Sequence, residues 1–177
     1  MIFRFDDICL NTDMANANAM GEFLHSLGHT VLYTVSLACQ NTGTEFVFKP
    51  ILKAYSDHRL FFTADKLGAP TLPAFAGVVS HGIVHVDHRL LCHEAQELSI
   101  VLSCSLLRSS AFAPPFNKWN SDTEEICNRN HIRLHKFEDG WRGVEHNAFS
   151  AAIDKWYLHS RNFTLDKMKT WIAGKPI

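Results

Sequence analysis

The sequence contains no apolar run of the roughly eighteen residues needed to cross a bilayer, so no membrane span is expected. It opens on MIFRFDDI, which lacks the basic start and apolar core of a secretory signal. A cytoplasmic location is the corresponding expectation. Cysteine is sparse and odd in number, at Cys9, Cys39, Cys92, Cys104 and Cys127, and no two form a CxxC pair. That argues against a disulfide framework or a zinc knuckle and for reduced, mostly buried thiols. Charge of one sign is also missing: 17 Lys and Arg stand against 18 Asp and Glu, scattered along the chain. Without a basic patch, neither nucleic acid nor an anionic membrane is an expected partner. The sequence holds no HExxH, GxSxG or GxGxxG and no P-loop, which removes support for zincins, serine hydrolases, dinucleotide enzymes and P-loop NTPases. Internal repeats, low-complexity stretches and linkers are absent as well.

What is present suits a soluble globular chain. Of 177 residues, 46% are apolar and 20% charged, enough for a single domain over 1–177 with one sizeable core. Short β-rich runs alternate with helical spacings. Residues 2–6 read as a first strand, followed by an N-cap at Asn11 to Asp13 and a helix with Ala17, Met20, Leu24 and Leu27 on one face. Gly28 is a plausible stop. Residues 30–38 read as a second strand, and 74–80 as a buried third. Residues 45–56 are ambiguous, since Pro50 argues against one unbroken helix. A helix is expected over about 89–107, a short strand at 110–113, and a helix from the S-x-x-E capping box Ser121–Glu124 to near Asn130. Strands at 132–137 and 155–159 and a closing helix after Thr164 complete the set. Such alternation implies a parallel sheet covered by helices. An open sheet and a barrel look alike at this level, but the chain is short for a full eightfold barrel of about 250 residues.

Eleven histidines are the unusual feature of the composition. In parallel α/β folds, sites gather at the carboxyl ends of strands. Asp6 and Asp7 end the first expected strand, His81 the third, and His159 the last. Neighbouring acids on an extended chain point to opposite sides, so Asp6 and Asp7 need not share a role. On their own they also read as a cap or a solvated turn. His81-Gly-Ile-Val-His85 is an HxxxH motif. On one helical turn its imidazoles would share a side and could meet one divalent ion, with a carboxylate as third ligand and positions left open. His88, three residues further on, is an alternative third ligand or a simple hydrogen-bonding group. His25, His29, His58, His93, His131, His135 and His146 read as surface or packed side chains. Trp141 and Trp156 read as packing rather than sugar platforms, with Trp119 open between the two.

Taken together these residues resemble the polysaccharide deacetylases, the NodB-type family 4 carbohydrate esterases. The resemblance rests on Phe5-Asp6-Asp7, on Ser80-His81-Gly82-Ile83-Val84-His85, and on Phe112-Ala113-Pro114-Pro115-Phe116. It continues with Asp139-Gly140-Trp141 and Trp156-Tyr157-Leu158-His159, in the family's order and across nearly the whole chain. The strings SHGIVHVDHRLL and FAPPFNKWN look most like short members from bacterial surface-polysaccharide gene clusters. The resemblance implies a distorted, incomplete (β/α) barrel. It implies Asp6 as general base, Asp7, His81 and His85 as metal ligands, and His159 as general acid. Pro115, Phe116, Asn117, Trp119, Asp139 and Trp141 would be substrate contacts.

The implied cofactor is a divalent ion, zinc by default, with cobalt, nickel or iron able to occupy the same ligands. The implied partner is an N-acetylated sugar or glycan, with hydrolysis of another C–N bond and non-catalytic glycan binding as alternatives. Two departures stand out. Ala113 occupies the position where the family carries an arginine that orients the base, leaving Arg108, Lys118 or Arg142 as candidates for that task. Ile8 and Cys9 replace the usual glycine and proline after FDD. Short substrate loops leave a small sugar, a lipid-linked glycan or a nucleotide sugar as open as a long polymer.

Overall fold

The computed structural model describes residues 1–9, 12–37, 70–143, 155–159 and 163–174. The expectation for residues 45–56 and the environment of Cys39 lie outside the described residues.

The first strand, β1 (Ile2–Ile8), alternates as a strand with two different faces must. Phe3 and Phe5 point one way into the main apolar cluster, while Arg4 and Asp6 point the other way. Helix α1 (Met14–Ser26) covers the apolar side with Ala17, Met20 and Leu24. Its cap is Asp13, whose side chain accepts from the Asn16 N–H at 3.1 Å. The chain returns as β2 (Thr30–Val35), parallel to β1. Where α1 packs on β2, Gly21 faces the Tyr33 hydroxyl and the Phe75 ring. A Cβ there would sit 2.6 Å from the Tyr33 hydroxyl, which itself donates to the Ala17 carbonyl at 3.0 Å.

Strand β3 (Gly77–Ser80) is shorter than expected and runs into an irregular loop rather than a helix. Helix α2 is built from three consecutive pieces, His93–Glu97, a π-helical turn Leu98–Leu102, and Ser103–Leu107. Its last turn closes on Arg108 in the left-handed region, φ 51°. Strand β4 (Ala111–Phe112) follows, then α3 (Ser121–Arg129). The α3 cap is Asn120 reciprocated by Thr123, one residue earlier than the S-x-x-E reading, because the asparagine carbonyl reaches the Thr123 N–H at 3.1 Å. Strands β5 (Arg133–Leu134), β6 (Arg142–Gly143) and β7 (Lys155–His159) and helix α4 (Leu165–Ala173), capped by Thr164, follow, and three short 3-10 turns lie at His88–Leu90, Pro115–Asn117 and Phe137–Asp139.

All strand pairings are parallel, and the sheet order is β5-β4-β3-β2-β1-β7-β6. Followed around, that is the chain order of a (β/α) barrel with one seam, between β5 and β6. Among the described residues those two strands share no ladder. The barrel is therefore distorted and incomplete, as expected. Phe3, Phe5, Trp156 and Leu158 pack outward against α1 and α4, and Met168 and Ile172 of α4 close that layer. The opposite faces of β1, β2 and β7 look into the barrel and carry the polar residues.

Candidate metal centre and active site

Asp6 and Asp7 do not simply alternate. Asp7 has φ 61°, and the β1–β2 register shifts between Phe5 and Ile8. This bulge re-aims a side chain at the strand end, and aspartate tolerates the left-handed region better than most residues. Asp7 therefore turns toward the loop after β3, while Asp6 stays in register opposite His159 of β7.

His81 and His85 reach the same point from that loop. The spacing had suggested one turn of helix; instead Gly82 takes φ 91°, and the segment 81–87 is not helical. The π-turn of α2 explains how the loop holds its shape. It presents Ser99, whose Oγ receives the Ile83 N–H at 3.2 Å and contacts His88 Nε2 at 3.0 Å. His88 Nδ1 meets the Val86 carbonyl at 3.0 Å. Both ring nitrogens of His88 are thus engaged, and the ring is fully buried behind the loop. His88 packs against Gly82, where a Cβ would come within 3.0 Å of its Cε1. It is a brace for the ligand loop, and the ligand cluster forms without it.

That cluster is Asp7, His81 and His85, with one ligand atom from each, all within 4.8 Å of one another. His81 Nε2 lies 3.3 Å and His85 Nε2 2.8 Å from Asp7 Oδ1. The arrangement fits a divalent ion on a specific ground. His81 Nδ1 sits 2.6 Å from the Ala113 carbonyl, which can only accept, so the proton belongs on Nδ1. Nε2 then offers a lone pair toward a carboxylate oxygen, and it is buried with no hydrogen-bond partner. Two acceptors facing each other at this distance call for a cation between them.

Asp6 is buried and takes no part in that cluster. Its Oδ1 accepts from Arg4 Nε at 2.7 Å and from Thr34 Oγ1 at 3.0 Å; its Oδ2 accepts from Arg4 Nη2 at 2.9 Å. Two of the cations named from the sequence lie elsewhere. Arg108 closes α2, Lys118 pairs with Asp87 at 3.6 Å, and Asp6 takes Arg4 from its own strand. The position held by Ala113 contributes its backbone instead, through the carbonyl that sets the His81 tautomer.

A cavity of about 300 Å³ opens over these groups, lined by Arg4, Asp6, Asp7, His81, His85 and His159 with Pro114, Phe116, Asn117, Phe137 and Tyr157. His159 Nδ1 is 3.5 Å from Asp7 Oδ2. Phe116, at φ 55°, stands at the rim, 58% exposed and edge-on to His85 at 4.4 Å. Asn117 lines the wall while its Oδ1 accepts the Phe137 N–H at 2.9 Å, tying two loops together. The other four expected substrate contacts lie outside the lining. Pro115 is buried and Pro114 faces the cavity in its stead. Trp119 turns to Glu124, donating at 3.1 Å, with Lys136 over its ring. Asp139 is exposed and accepts from Lys155 Nζ through its carbonyl. Trp141 is buried beneath the Arg4 guanidinium. Phe137 and Tyr157 replace them in the wall; a period-two reading of β7 back from His159 places Tyr157 on the same strand face, beside the site.

No family model and no curated protein sequence matches the chain. Among solved structures, a family 4 carbohydrate esterase from Streptomyces lividans, in complex with acetate, aligns with TM-score 0.56 and 12% identity over 97% of this chain and 86% of its own. The chain has the family 4 carbohydrate esterase fold. The peptidoglycan deacetylase PdaC from Bacillus subtilis aligns with TM-score 0.55 and 14% identity, over 98% of this chain and 81% of its own. A family 4 pseudoenzyme from Bacillus anthracis aligns with TM-score 0.58 and 9% identity, over 98% of this chain and 59% of its own. At such identities the esterase fold is what is shared. Among the described residues, no helix is long and apolar enough to cross a membrane.

Two buried histidines are expected to make the fold sensitive to acid. Burial pushes both His88 and His135 down to about 4 from an ordinary 6.5. Below 6.5 the unfolded chain binds protons that the folded chain refuses, so stability falls as pH drops toward 4. The thermal midpoint of metal-free protein is expected to decline across that window. A flat profile would contradict the neutral, buried state of these two rings.

Proposed function

We propose that the protein is a metal-dependent hydrolase that removes an N-acetyl group from a sugar. The observation that carries this reading is the convergence of the Asp7-His81-His85 cluster with a separately held carboxylate, Asp6, and a histidine, His159, on one small cavity. A binding module has no need of a proton acceptor and a proton donor on either side of a metal.

Asp7, His81 and His85 would hold the ion, with zinc suited to two imidazoles and a carboxylate. When bound, the ion supplies Lewis acidity that polarises an amide carbonyl and acidifies water. The remaining work falls to side chains. Asp6 accepts the proton of the attacking water through Oδ2. Among the described residues that oxygen receives one hydrogen bond, which leaves it an acceptor site, whereas Oδ1 receives two. His159 donates a proton to the departing amine, held beside the cluster by the Asp7 carboxylate. Phe116, Phe137 and Tyr157 offer apolar faces for a sugar ring, and Asn117 a polar edge. The resemblance to short deacetylases of surface-polysaccharide clusters points to a glycan-assembly setting for the substrate.

The test is acetate release from a panel of N-acetylated sugars, nucleotide sugars and chitin oligomers, with zinc or cobalt added. Release from at least one member is the expected result. Metal binding without release from any member would favour another C–N bond or a non-catalytic glycan binder, a reading given weight by the pseudoenzyme of the same fold.

A further inference from the structure

We infer that Arg4 is the positioning residue that fixes the Asp6 carboxylate for proton transfer, with Trp141 as the platform that fixes Arg4; this role rests on the function proposed above.

The geometry begins in the strand. Arg4 and Asp6 are two residues apart on β1, so their side chains leave the same face. The guanidinium grips the carboxylate with two parallel hydrogen bonds, Nε to Oδ1 at 2.7 Å and Nη2 to Oδ2 at 2.9 Å. A fork of this kind sets the plane of the carboxylate as well as its position. Thr34, on the neighbouring strand, adds a donor to Oδ1, so the acceptor capacity left over is on Oδ2.

Arg4 is itself pinned. Its Cζ lies 4.7 Å from the Trp141 ring centroid and 5.9 Å from that of Tyr157. The Arg4 side chain borders the cavity but is only 4% exposed, so little of it is open to substrate. It acts through Asp6.

Stability alone does not account for this arrangement. A buried ion pair seldom outperforms well-packed apolar residues of similar volume. Here the guanidinium also leaves Nη1 buried without a hydrogen-bond partner. A charge held at that cost, aimed at one carboxylate on the cavity wall, is explained by what the carboxylate does. It also accounts for Trp141 being buried rather than displayed to a sugar.

The experiment measures kcat and KM for acetate release by zinc-loaded full-length protein, on whichever panel sugar the wild type hydrolyses. The variants are Arg4→Met, Arg4→Lys, Asp6→Asn and the double variant Arg4→Met/Asp6→Asn. Arg4→Met is expected to lower kcat by about 100-fold while KM stays within about threefold, the pattern of a group that acts on the transition state alone. Arg4→Lys keeps the charge but not the fork, and is expected to recover about a tenth of wild-type kcat. In the Asp6→Asn background, Arg4→Met should cost no more than about threefold further, because its partner in catalysis is already gone. A general structural role would cost the same in both backgrounds, and that result overturns the assignment. So does an Arg4→Lys variant with full wild-type kcat, a readout that stands even where Arg4→Met fails to fold. Zinc-loaded wild type that releases acetate from nothing would instead overturn the proposed function, and the Arg4 role with it, before any substitution is compared.

Discussion

Asp6→Asn is expected to lower acetate release by about 10²- to 10⁴-fold, the range typical of a lost general base, while the protein still binds one equivalent of metal. The separation of the two effects follows from geometry. Asp6 contributes no atom to the Asp7-His81-His85 cluster, and its hydrogen bonds run to Arg4 and Thr34. Asparagine keeps the shape and can still accept on one oxygen, but its amide cannot take a proton from water. A rate within a few-fold of wild type would remove Asp6 as the base. Loss of metal together with rate would mean that the bulge at Asp7 does not insulate the two acids from one another.

The second large effect concerns His81. His81→Ala is expected to weaken zinc binding by well over about 100-fold, since loss of even an outer-shell partner commonly costs 10- to 100-fold. The substitution deletes a proposed ligand whose tautomer is set by the Ala113 carbonyl at 2.6 Å. Competition against a chromogenic chelator measures it. His88→Ala, by contrast, removes a brace whose two nitrogens face Val86 and Ser99, so its loss should show in thermal stability more than in zinc stoichiometry. Equal zinc affinity in wild type and His81→Ala would shift the ligand role to another histidine.

Much of this site is legible in the sequence alone. Five residues spread from Asp6 to His159 meet on one cavity, because a parallel barrel delivers the carboxyl ends of its strands to one side. The local geometry was harder to read. HxxxH suggested helix, but Gly82 at positive φ and the serine of a π-turn set the loop, and a π-turn leaves no periodic trace in sequence. Trp141 and Trp119 were open to two readings because an aromatic that packs on a cation and one that packs on a sugar have the same composition signal. Arg4 is hard to read for a different reason: the family's arginine belongs at the position of Ala113, far along the chain, whereas the period of two in Arg4-Phe5-Asp6 places a cation on the same strand face as the acid. Strand β6, two residues long, carries too short a pattern to be read at all.

The esterase fold alone does not decide activity, since a pseudoenzyme shares it. The central claim is that Asp7, His81 and His85 hold a single catalytic metal. Its most direct test is an anomalous difference map from crystals grown with zinc, recorded on either side of the zinc edge. One strong peak is expected within about 2.0–2.2 Å of His81 Nε2, His85 Nε2 and an Asp7 carboxylate oxygen. No peak there in zinc-saturated crystals, or a peak ligated by His88 in place of Asp7, would contradict it.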